Sequence, residues 1–93
     1  MSAQSLVQEG ERLLELVAHP DVAVQVFFNA RRAAALALSG EPDEAARIGT
    51  SSAAVAHEVK SERTVRVLGD VLQSLDRWRG RPAVREFRES LTA

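Results

Sequence analysis

GEPDEAARIGTSSAAVAHEVKSERTVRVLGDVLQSLDRW, Gly40 to Trp78, is the stretch whose reading decides the fold. Pro42 suits a first helical position, and Asp43 and Glu44 complement the positive end of a helix beginning there. Ala46, Gly49, Ala53 and Ala56 recur at helical spacing and form a narrow face of small side chains. Such a face lets a neighbouring backbone approach closely, at a cost of about 1 kcal/mol for glycine within a helix. Ser61 is a good cap for the next helix, with Glu62 in its first turn. Val65, Leu68, Val71, Leu72, Leu75 and Trp78 give that helix a broad aliphatic stripe, and Arg66 and Asp70 are spaced as a surface ion pair.

Outward from this pair, Ser5 and Gln8 form a capping-box pattern. Leu6, Gly10, Leu13 and Val17 then share one face of a first helix that stops before His19-Pro20. Asp21 reads as the cap of the following helix. Residues 22–28, VAVQVFF, alternate as a strand would, and β-branched residues favour strands. No second strand-like run exists to pair with them, however, and the segment continues into the strongly helical ARRAAALAL. A helix from about Val22 to Leu38 is expected, closed by Ser39-Gly40 with glycine in the left-handed cap position. Beyond Trp78, Arg79-Gly80-Arg81-Pro82 breaks the chain, and Val84, Phe87 and Leu91 supply the apolar face of a short last helix. The expected fold is all-α, about five antiparallel helices joined by short turns, in one domain spanning residues 1–93.

Composition narrows the function classes. The hydrophobic 45% is mostly Ala, Val and Leu, with three Phe and one Trp, so the core must be thin. The net charge of −1 gives no global reason to expect nucleic acid, whose readers are clearly basic. Charge is uneven: residues 1–60 carry five Lys/Arg against eight Asp/Glu, and residues 61–93 carry seven against five. The absence of cysteine excludes disulfides and thiolate chemistry and fits a reducing compartment. With no membrane-length apolar run and no signal pattern, a cytoplasmic location is expected, without membrane contact.

The order of small-faced helix, Gly-Pro turn and Ala-spaced helix resembles a tetratricopeptide-type repeat. In that family small residues mark the crossing of a unit's two helices, and Ala34, Ala46 and Ala53 have this spacing. The chain departs from the pattern elsewhere. Ala30, Ala37 and Thr50 stand where the family has large residues, Glu58 stands at its closing proline, and the second unit overruns the period of about 34 residues. Residues 40–93 are similar to the C-terminal end of bacterial transcriptional regulators with a helix-turn-helix domain of the Cro/C1, xenobiotic-response-element type. Ser61–Arg63 and Arg79–Val84 carry that likeness most specifically. It implies tetratricopeptide-like hairpins and a regulatory domain that binds a peptide, protein or small ligand. The DNA-binding half is absent from this sequence, so no direct nucleic-acid contact is assigned to it.

Gln25, Asn29 and Arg32 make a polar ladder on one helix, and Arg63, Arg66 and Asp70 make another two helices later. In tetratricopeptide-like folds such faces line a groove whose amides and guanidinium groups grip a peptide backbone or carboxylate. The alternative is a pair of solvated faces. Arg77, Arg79, Arg81, Arg85 and Arg88 could meet phosphate or an acidic partner, but interleaved Asp76, Glu86 and Glu89 favour a solvated helix end. His19 and His57 have no metal-type spacing, and no nucleophile-elbow or phosphate-loop pattern is present. The chain therefore reads as a binding domain and not an enzyme, with no cofactor and no metal. Trp78 reads as either a partner hot spot or a core residue closing on Phe87. The alternative function is a homodimerisation module that pairs an exposed Ala-rich or Val/Phe face with its own copy.

Overall fold

The computed structural model describes residues 20–93, which are all-helical. Helix α1 runs Pro20–Leu38, α2 Pro42–Glu58, α3 Glu62–Ser74 and α4 Pro82–Thr92, with a 3₁₀ turn at Asp76–Trp78. The expected first helix, around Ser5–Val17, lies outside the described residues, as does His19.

Punctuation in the sequence sets the boundaries. VAVQVFF is helical, for want of a partner strand among the described residues and because α1 continues into an alanine-rich run. That helix starts earlier than expected. Pro20 is its first residue, and Asp21 sits in the first turn rather than capping it. Pro is preorganised for that position, and Asp one residue later still complements the helix dipole. Gly40 adopts φ of 77° and turns the chain into α2. Ser61 caps α3 as expected: its Oγ accepts from the Thr64 amide at 3.3 Å and donates to the Thr64 hydroxyl at 2.9 Å. The α-helical part of α3 ends at Ser74, not Trp78. The 3₁₀ turn that follows redirects the chain toward Pro82.

Helix α1 packs on both α2 and α3, and α2 packs in addition on α4 and α3. The shared core is small-sided, with Ala30, Ala33, Ala37, Ala45, Ala46, Ala53 and Ala56 buried beside Val26, Leu68, Val71, Leu75, Val84 and Phe87. The small-residue face of α2 is buried throughout. At Gly49 the space is taken by a side chain. A Cβ built on Gly49 would lie 2.7 Å from the Phe87 ring, so the missing side chain is the seat of the largest core residue. Burying that ring contributes about 1.5–3 kcal/mol. The salt bridge from Arg81 Nη1 to Asp43 Oδ2, at 3.0 Å, ties the start of α4 to the start of α2. Both partners are nearly half exposed, which limits the pair to about 0.2–1 kcal/mol.

Candidate functional site

One rotation of α1 separates two surfaces. Val26, Ala30, Ala33 and Ala37 point into the core. On the opposite side Val24, Phe28, Arg31, Ala35 and Leu38 are exposed and fall at i, i+4, i+7, i+11 and i+14, a single helical stripe. Val24 is 51% exposed, Phe28 62% and Leu38 83%, the large apolar residues left outside among the described ones. Four apolar side chains on one outward face interrupted by a single arginine is an unusual surface, because a solvated helix face is normally charged and polar.

Phe27 links this stripe to α3. Its ring meets Phe28 edge-on at 6.4 Å between centroids, and the Arg63 guanidinium carbon lies 4.0 Å above it. Such a cation–π contact is worth about 0.5–1 kcal/mol at an exposed site. Ala23, Val24, Phe27 and Phe28 face Ser61, Arg63 and Thr64 across a shallow cleft of 310 Å³ between α1 and the start of α3.

The two polar ladders do not form one groove. Gln25 and Asn29 lie on the flank of α1 that opens toward α2, lining a depression with Asp21, Val22, Val26 and Val55. A long hydrogen bond of 3.5 Å runs from Gln25 Nε2 to Asn29 Oδ1. Arg32 is exposed and clear of this depression. On α3, Arg63 turns to Phe27, whereas Arg66 borders a different recess with Ala56, His57, Lys60 and Val65. Asp70 is exposed, and the expected Arg66–Asp70 ion pair is not formed. Arg63 is thus the ladder residue that meets the apolar cleft, through its aromatic contact.

The arginines near the C-terminal turn are partly engaged by their own surroundings. Arg77 stacks on Trp78 at 4.3 Å, Arg79 approaches Asp76 at 3.8 Å, and Arg81 binds Asp43. Trp78 is half-buried and borders a recess with Ala37, Leu38, Gly40 and Ser74, so it reaches toward the α1–α2 turn. Among the described residues no three His, Asp or Glu side chains converge as a metal site, and no helix is long and apolar enough to cross a membrane.

No protein-family model, curated protein or solved structure matches this chain. The fold and its surface define a small all-α domain with an outward apolar stripe on α1, bordered by arginines.

Proposed function

We propose that the chain is a protein- or peptide-binding regulatory domain built from two tetratricopeptide-like hairpins, α1–α2 and α3–α4. The order of packing supports the hairpin reading: first helix on third, second on fourth, and second on third, as stacked units require. In such a stack α1 and α3 line the binding face. A place as the sensory part of a helix-turn-helix regulator follows from the Ser61–Arg63 and Arg79–Val84 likeness. Binding would bias an attached or associated partner by favouring one helix arrangement, without chemistry.

The observation that carries the reading is the exposed Val24–Phe28 surface beside the Arg63-capped Phe27 cleft. An acidic, amphipathic segment fits it, with apolar side chains over Val24 and Phe28 and carboxylates toward Arg31 and Arg63. Homodimerisation is the second reading. A two-fold antiparallel pairing of the stripe sets Val24 against Leu38 of the copy and Arg31 against its own equivalent, and facing guanidinium groups oppose that arrangement.

The test titrates isotope-labelled protein with an array of acidic amphipathic peptides and maps amide shifts. Shifts at Val24, Phe27, Phe28 and Arg63 that vanish in Phe28→Asp, with unchanged circular dichroism, are expected. Binding confined to the Gln25–Asn29 depression or to Arg79–Arg88 would overturn this placement.

A further inference from the structure

The turn between α2 and α3 carries a second candidate site, separate from the α1 stripe. Ala56, His57, Lys60, Glu62, Val65 and Arg66 surround a recess of about 610 Å³ there. We propose that it binds a small organic anion, a carboxylate or phosphate monoester carried on a compact apolar body.

Side chains supply the charge. The end of α2 and the start of α3 both border the recess, so their dipoles oppose each other. Lys60 and Arg66 bring two positive charges against the single carboxylate of Glu62. Glu62 and Arg66 stand at i and i+4, the favourable order for a helical ion pair, yet they form none. Lys60 and Arg66 are both exposed and make no salt bridge among the described residues. Arg47, Arg79 and Arg81, by contrast, each hold a carboxylate, and Arg63 and Arg77 lie on aromatic rings. Two cations with unused donors therefore meet at one recess.

The backbone of Lys60 is a second observation. Lys60 has φ of 54°, the one positive value at a non-glycine residue among those described. It closes α2 in a turn of the kind that favours glycine: the Lys60 amide donates to the His57 carbonyl at 3.3 Å, and the Ser61 amide to the Ala56 carbonyl at 3.0 Å. The turn before α2 places Gly40 in the left-handed region, with φ of 77°. Lysine in such a position forgoes the local stability that glycine would supply, and it sets an ammonium group at the recess.

The walls indicate an organic anion. Buried Ala56 and half-buried Val65 offer apolar surface that a bare inorganic ion would leave uncovered. The Arg66 fork and a ring N–H of His57 suit the oxygens of a carboxylate or phosphate. The volume is within the usual range for small-ligand sites, roughly 300–1,000 Å³.

The full chain, isotope-labelled, is titrated at constant ionic strength with phenyl phosphate, benzoate and inorganic phosphate while amide shifts are followed. Saturable shifts at Ala56, His57, Lys60 and Arg66 are expected with an organic probe, at about tenfold lower concentration than with inorganic phosphate. The tighter of the two organic probes identifies the head group. Arg66→Gln should weaken that binding about tenfold with unchanged circular dichroism. Lys60→Gly should weaken it similarly while raising Tm, because glycine suits the left-handed turn, which separates loss of charge from loss of fold. No saturable shift with either organic probe, or inorganic phosphate binding as tightly as both, would overturn the proposal. So would shifts spread over the exposed arginines of α4, or binding indifferent to both substitutions.

Discussion

Replacing Gly49 by alanine tests the core at its tightest point. Alanine is the better helix former, and an exposed Gly→Ala change in a helix gains about 1 kcal/mol. Here the added methyl carbon would lie 2.7 Å from both Cε1 and Cζ of Phe87 and 2.9 Å from Cδ1. Carbon pairs are most favourable at about 3.5–4.0 Å, so the overlap is roughly 0.8 Å or more. Phe87 is fully buried, and its ring can retreat only by moving α4 away from α2. Overpacking of this kind costs about 1–3 kcal/mol, and a rigid ring lies toward the upper end. Subtracting the propensity gain leaves a net loss of about 1–2 kcal/mol, or roughly 5–15 °C in Tm for a domain this small. Urea unfolding followed by far-UV circular dichroism measures it. Phe87→Leu shortens the opposing group, so in a double-mutant cycle the two changes together should cost less than their sum by about 1 kcal/mol. A stabilised Gly49→Ala protein, with additive behaviour in the cycle, would refute the seating of Phe87 on Gly49.

Two further substitutions probe polar groups. Ser52 is buried, and its Oγ has no hydrogen-bond partner among the described residues. Since an unsatisfied buried hydroxyl costs about 1–3 kcal/mol, Ser52→Ala should stabilise the domain by about 1 kcal/mol in the same unfolding assay; a clear loss would mean that the hydroxyl is bonded. Ser61→Ala removes the cap of α3 and the partner of the buried Thr64 hydroxyl. A loss of about 1 kcal/mol is expected, and faster amide exchange in the first turn of α3 than in α2 would locate it.

Much of the fold is legible because the chain punctuates itself. Pro42, Ser61, Gly40 and Pro82 mark boundaries that the structure keeps, and the spacing of Leu68, Val71 and Leu75 names the buried side of α3. What the small face of α2 accommodates is not legible. Phe87 lies 38 positions from Gly49, and no local pattern joins them. The candidate site is harder still. VAVQVFF is apolar except at Gln25, so its sequence does not show that Val26 faces inward while Val24 and Phe28 stay out; the packing of α2 and α3 decides this. Its outward stripe becomes readable only once Ala30, Ala33 and Ala37 identify the core side. Arg63 reads in the sequence as part of a polar ladder, yet it leans on Phe27, because an aromatic face across the cleft is within reach.

The most direct test of the binding-domain account is the solution mass by light scattering across a wide concentration range. The account predicts the mass of one 93-residue chain throughout, with the α1 face reserved for an acidic amphipathic segment. A stable dimer that dissociates on Phe28→Asp would contradict it and make the Val/Phe stripe a self-association interface.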